Sequence, residues 1–355
     1  MILYRRSGLA TGAALLAAPL AAPSLSLAQP APGRVVFGSW GGATARMWRE
    51  SFGAPFTAAT GIPVTVAELP DPAAAVAAAR GRPQHNVALA ASFQAAHLAT
   101  SDLIERLSPD EIPNIRHVPE EHWVRDPQGR LLGMPIYFVY LGVAFNNTLA
   151  RAADFASWEG LTERKWRGQI SVTRPIFLAP YDLSLYARIR GGSEADIQPG
   201  VPMLEAVARN SVSSYSSMAT LQQQMSRGEV TACAFYSGQI QMLRKAGQRE
   251  VEMTLPREGG LVLSYVISIP KNAPDKAAAL RFLNDAIDPA KQIMAARSGY
   301  IPLSTNVTLP PEVIQEIGMT PEEVRARNWS PNWYTIAADI EARMRLADQV
   351  LDRAR

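Results

Sequence analysis

Apolar positions along this chain alternate between two periods. RVVFGS, Arg34–Ser39, has the density of a buried strand, and from Ala43 to Thr60 the residues Met47, Phe52 and Phe56 recur on one helix face. Gly61 and Pro63 end that helix, and the alternating IPVTVAEL resumes as a strand. An alanine-rich helix follows over Pro72–Arg80, and NVALAAS reads as a third strand. Strands alternating with helices predict an α/β fold with a mostly parallel sheet covered on both faces.

The pattern changes after the turn at Asp126–Gly129. A long β-rich run covers Met134–Phe145, and a second, LVLSYVISIP, begins at Leu261. Between them KWRGQISV and EVTACAFY read as shorter strands of a second α/β unit, and REVEMTLP precedes the glycine pair Gly259-Gly260. DKAAALRFLNDAI then reads as a helix, and TPEEV as a helix start whose Glu322 and Glu323 suit the positive N-terminus. This layout predicts one lobe in two segments, 33–137 and 261–303, with a second lobe, 138–260, inserted between them. The segment 304–355 is expected to be helical and to pack on the lobes. Lobes joined by extended strands can close like a hinge around a ligand.

The first 28 residues read as an export signal. Arg5 and Arg6 precede a short apolar stretch without acidic residues, and Ser26-Leu27-Ala28 offers small residues before a cut at Gln29. Pro19 and Pro23 interrupt the apolar stretch, which is too short to span a bilayer. The arginine pair suits the twin-arginine route as well as the general one. The expectation is a soluble periplasmic protein, working as a monomer. The whole chain carries 35 basic and 32 acidic side chains; losing Arg5 and Arg6 leaves 33 against 32, a net charge of +1. That balance argues against nucleic acid as a partner. Cys233 is the only cysteine, so no internal disulfide can form, and its setting VTACAF reads as a buried, inert thiol.

Signals for catalysis are poor. AFYSGQI places Phe235 where a nucleophile elbow needs glycine. His85, His97, His117 and His122 show no metal-ligand spacing, and no metal or cofactor is expected. SWGGATAR lacks the lysine of a phosphate loop and the third glycine of a dinucleotide fingerprint. Trp40 instead sits at a strand's C-terminal end, where open α/β sheets hold ligands, and Gly41 lets backbone approach there. Tyr137 and Tyr140 lie on the first long β run, where a tyrosine serves either hinge packing or ligand contact. Tyr215, Tyr300, Trp329 and Trp333 read as structural.

Several stretches in order carry a family resemblance: VVFGSWGG, PFTAATGIPVTVAE, GRLLGMPIYFVYLGVAFN, SWEGLTERKWRGQISV, GEVTACAFYSGQ, EGGLVLSYVISIPKNAPDKAAALRFLNDAI and ARSGYIPLSTNV. Together they resemble the extracytoplasmic solute-binding proteins of ABC importers, in the subgroup that includes spermidine/putrescine binders. The resemblance implies a two-lobed, type II periplasmic-binding-protein fold, each lobe a mixed sheet flanked by helices, joined by extended hinge strands. It implies a receptor without catalytic residues that closes on a small solute and delivers it to an inner-membrane permease. An exported enzyme on the same fold, or a ligand sensor for a membrane signalling partner, is the alternative.

In polyamine-binding members aromatic faces sandwich the alkyl chain and carboxylates hold the ammonium groups, because a desolvated cation needs both. By motif, the resemblance puts Trp40 and Ser39 at the first-loop position, Ser92 and Phe93 after the third strand, and Tyr236 at a second-lobe aromatic position. The family's tryptophan and aspartate in the second long run are replaced by Leu263 and Tyr265, and its glutamate falls on or beside Tyr181, with Asp182 adjoining. Loss of those carboxylates argues against a doubly charged polyamine. Arg174, just after a predicted strand, either meets a carboxylate or phosphonate with a bidentate contact or lies solvated at the surface. The expected ligand is therefore a small polar or zwitterionic solute: polyamine-like, amino-acid-derived or a carboxylate.

Overall fold

The computed structural model describes residues 33–215 and 218–354, so the export signal expected at 1–28 and its expected cut at Gln29 lie outside the described residues. The strands are β1 (Val35–Trp40), β2 (Val64–Leu69), β3 (Val87–Ala91), β4 (Met134–Asn146), β5 (Ile170–Val172) and β6 (Ser211–Ser214). They continue with β7 (Ala232–Tyr236), β8 (Val251–Thr254), β9 (Gly260–Ser268), β10 (Ile301–Pro302) and β11 (Asn328–Trp329). Their order is β2-β1-β3-β9-β4-β7-β5-β6, with β8 and β10 also on β4 and β11 on β9. β1 runs parallel to β2 and β3, while β9 pairs antiparallel with β3 and β4 antiparallel with β9, so the sheet is mixed.

β4 joins two half-sheets. Met134 to Tyr140 pair with β9; Leu141 to Asn146 pair instead with β7 and β8. The partner changes between Tyr140 and Leu141, and every residue of this strand is buried. A strand buried on both faces must be apolar throughout, which is why MPIYFVYLGVAFN reads as one continuous β run. The chain returns to the first half between Thr254 and Gly260, close beside the switch point. A Cβ on Gly260 would sit 2.1 Å from the Leu141 carbonyl oxygen, so only glycine lets the two strands approach there.

Helical structure runs from Ala43 to Thr60 as expected, but its middle turn, Trp48–Gly53, is wound as a π-helix. Pro55 has no N–H to give the carbonyl four residues back, and a wider turn absorbs that missing bond. Ala179–Leu183, which contains Pro180, repeats the device in the second half. Met47, Phe52 and Phe56 are buried, as their spacing required, and Trp48 joins them, 4.4 Å from the Phe37 ring and 4.2 Å from Phe52.

The C-terminal part is mainly helical. Thr320 opens the helix Pro321–Arg327 with a capping box, its Oγ1 accepting from Glu323 N at 3.2 Å while the Glu323 carboxylate accepts from Thr320 N at 2.7 Å. Trp333 is buried and meets Tyr181 edge-on at 5.9 Å. Arg343, on the last helix, is buried and donates to Asp339, to the Ser184 hydroxyl and to the Glu194 carbonyl, tying the C-terminus to the second half. Cys233 is buried against the Met225 sulfur at 3.8 Å, and burial pushes its thiol pKa well up, which keeps it protonated.

Candidate functional site

A cavity of about 500 Å³ lies between the two half-sheets, at the C-terminal ends of β1, β2, β3 and β7. The first half supplies a wall of four rings. Trp40 stands edge-on to Tyr265 at 5.8 Å, Tyr265 lies 5.4 Å from Tyr137, and Tyr137 lies 4.4 Å from Tyr300. Two hydroxyls of this wall are fixed by hydrogen bonds: Trp48 Nε1 donates to Tyr137 at 3.0 Å, and Tyr300 shares a 2.9 Å hydrogen bond with Thr44. The second half faces it with Phe177, Tyr181 and Tyr236. Tyr181 stacks on Phe177 at 6.2 Å and meets Tyr236 edge-on at 6.2 Å. Burial holds the pKa values of Tyr137, Tyr181 and Tyr236 well above the ordinary phenol range, so their hydroxyls stay neutral.

Charge enters this aromatic box at two points. Asp71 follows β2 and caps the helix Pro72–Ala79, accepting from Ala74 N at 3.0 Å. The Gln94 amide donates to the same carboxylate at 3.2 Å, and Gln94 Oε1 is itself held by Ala91 N at 3.1 Å. A half-buried carboxylate is thereby aimed along the cavity wall in a fixed orientation. Arg174 follows β5 on the opposite side and is exposed, its guanidinium 5.6 Å from the Phe177 ring. No carboxylate pairs with it among the described residues.

Of the residues singled out by sequence, Trp40, Tyr137, Arg174, Tyr181, Tyr236 and Tyr265 line the cavity. Ser39, Gly41, Ser92, Phe93 and Asp182 do not. Ser39 is fully buried and bonds the Trp40 carbonyl at 3.0 Å. Gly41 lies against Glu68, whose carboxylate also takes the Gly42 N–H at 2.9 Å, so that amide is engaged within the protein. Ser92 turns toward β9, 2.6 Å from the Ser264 hydroxyl. Phe93 backs the second wall, edge-on to Tyr181 at 5.4 Å. Asp182 is buried behind Tyr181, and burial pushes its carboxyl up to about 7.

Other lining residues were not singled out. Tyr215 and Tyr300, read as structural, both reach the cavity, and so do Thr44, Asp71 and Gln239. Asp71 was legible in principle. It follows a strand's C-terminal end and precedes proline, the N-cap and first-turn signature of a helix opening at the ligand side of an open sheet. Among the described residues no group of three or more His, Cys, Asp or Glu is placed to hold a metal ion.

Comparison with known proteins places this geometry in context. A spermidine/putrescine-binding periplasmic protein of Escherichia coli K12 is 31% identical over 105 residues, a match covering 28% of this chain and only 30% of that relative's length. An ABC transporter substrate-binding protein from Bradyrhizobium japonicum superposes with a TM-score of 0.73 at 22% identity, over 90% of this chain and 99% of that one. A spermidine/putrescine ABC transporter substrate-binding protein from Streptococcus pneumoniae gives 0.68 at 19% identity, over 89% and 99%. These likenesses establish the two-lobed binding-protein fold expected from sequence. The family model of bacterial extracellular solute-binding proteins matches residues 52–321, about three quarters of the chain and both half-sheets, so the protein belongs to that family.

Proposed function

We propose that this protein is an exported receptor that captures a small zwitterion between its lobes and hands it, chemically unchanged, to the permease of an ABC importer. The moving bodies would be lobe I, 33–137 with 261–303, and lobe II, 138–260, with 304–355 packed across them and the flex at the β4 partner switch. One observation carries the reading. The aromatic cavity has a carboxylate, Asp71, on the lobe I side and, on the lobe II side, the Arg174 guanidinium, which no carboxylate pairs among the described residues. An ammonium group placed at Asp71 and an anionic group at Arg174 would pair both charges, with the connecting methylenes against Trp40 and Tyr265. Such a ligand touches both lobes only when they are closed, and that difference in affinity drives closure.

A diamine leaves Arg174 facing a second cation, so polyamines fit less well despite the relatives named for spermidine and putrescine. Thermal unfolding with ω-amino acids, 2-aminoethylphosphonate, putrescine and simple carboxylates, each at about 10 mM, tests this. Zwitterions are expected to raise the midpoint most. A larger shift with putrescine would sink the zwitterion reading, and no shift with any class would sink the receptor itself.

A further inference from the structure

The hinge has a second hollow on its far side. We propose that this cavity is a separate binding site for a small oxyanion that also carries a hydroxyl group, a hydroxycarboxylate or phosphate. Its volume is about 330 Å³, and it shares its framework with the cleft residue by residue. Tyr140, Ser237 and Gly299 line it, while their chain neighbours Val139, Gly238 and Tyr300 line the cleft. Alternation along β4 turns Val139 and Tyr140 to opposite faces, so one layer of backbone separates the two cavities.

The chemistry of the lining selects an anion. Arg244, from the helix Ser237–Lys245, and Arg327, from the end of the helix Pro321–Arg327, both border the cavity. Neither pairs with a carboxylate among the described residues; Arg327 makes only 3.5 Å contacts, to the Leu255 carbonyl and the Met319 sulfur. Glu316 is the one acid in the lining, and Lys245 already holds it at 3.0 Å. Two guanidiniums without a carboxylate are suited to bidentate oxyanion recognition.

Gln241 adds the second requirement. It is 9% exposed, and its Oε1, a buried acceptor, has no hydrogen-bond partner among the described residues. A Cβ on Gly299 would lie 2.9 Å from that oxygen, so the glycine, at φ 91°, leaves the amide its place. That oxygen has almost no exposed surface of its own, so a ligand hydroxyl meets it through a turn of the Gln241 amide toward the cavity, which relieves the cost of an unpaired buried acceptor. Tyr140 lines the same cavity as Arg244 and Arg327 and adds a phenol whose pKa burial raises, while both arginines act to lower it.

Calorimetric titration of malate, succinate and inorganic phosphate into the full-length protein tests the assignment. Malate, phosphate or both should bind saturably, and malate should bind more tightly than succinate, which lacks the hydroxyl. The Arg244→Gln/Arg327→Gln variant should weaken that binding at least about tenfold, and Gln241→Leu should erase the preference for malate over succinate. Arg174→Gln, in the cleft, should leave it within about twofold. The proposal is overturned by no saturable binding at about 10 mM, or by binding that depends on Arg174 but not on Arg244 and Arg327. Both arginines are exposed, so the double variant should keep its unfolding midpoint. Should it not, the Gln241→Leu result decides alone.

Discussion

Asp71 shows how one side chain can serve fold and ligand together. Its carboxylate caps a helix and accepts from Gln94, yet it still borders the cavity. Asn at an N-cap keeps most of the capping bond, so Asp71→Asn should leave the unfolding midpoint near wild type. The same change removes the charge that holds an ammonium group, and affinity for the zwitterion should fall by about 10- to 100-fold in calorimetry. Arg174→Gln should act alike on the anionic end, and Trp40→Ala should weaken both zwitterions and diamines, because its face serves the methylenes they share. Trp40 was legible because it ends a strand at the ligand side, and Tyr236 because the family resemblance puts an aromatic residue there. Ser92 and Phe93 carry the family's motif, but Ser92 turns inward to Ser264, and Phe93 meets the Tyr181 ring of the opposite wall without lining the cavity. Motif position fixes the backbone, whereas the direction of a side chain depends on its neighbours in space.

Among the elements, β4 matters most. Its first seven residues belong to one sheet and its last six to another, and the change of partner at Tyr140/Leu141 leaves a narrow gap that Gly260 fills. Gly260→Ala would drive a methyl group into the Leu141 carbonyl, and the strands must separate. We expect a loss of more than about 2 kcal/mol, read as a lower urea midpoint, with ligand affinity also reduced because the hinge moves. The length and burial of β4 could be read from its unbroken apolar run. Its switch of partner could not, since both halves of the strand have the same composition. The helix Ala43–Thr60 shows the same division: its buried stripe was readable, whereas the π turn ahead of Pro55 came from how the proline's missing bond was absorbed.

Across the whole molecule, two buried titratable groups set opposing pH dependences. Burial lowers the His122 imidazole to about 4, so the unfolded chain takes up a proton first and stability is lost as pH falls from 6.5 toward 4. Burial raises the Asp182 carboxyl to about 7, so the folded chain holds a proton that the unfolded chain has released, and stability falls as pH rises from 3.8 toward 7. Over the shared window the two slopes largely cancel. Asp182→Asn should expose the acid-side loss due to His122 and raise stability at pH 8 by up to about 4 kcal/mol. His122→Phe should leave the opposite slope. Chemical unfolding from pH 4 to 8 on both variants measures each contribution, and parallel, unchanged profiles would refute the assignment.

By itself the sequence determined the α/β class, the alternation of the first three strands with helices, the long buried strand β4 and the family. All of these follow from local periodicity, turn residues and motif order along the chain. It also placed an aromatic residue, Trp40, at the end of β1. Only the tertiary structure decided that Asp71, Tyr215 and Tyr300 share one cavity with Arg174, and that Asp182 lies behind the wall. Those residues stand far apart in sequence, and their meeting depends on how two half-sheets pack about one strand. The hollow behind the hinge has the same origin: its arginines lie on separate helices, brought together when the C-terminal segment folds back across β9 and β4.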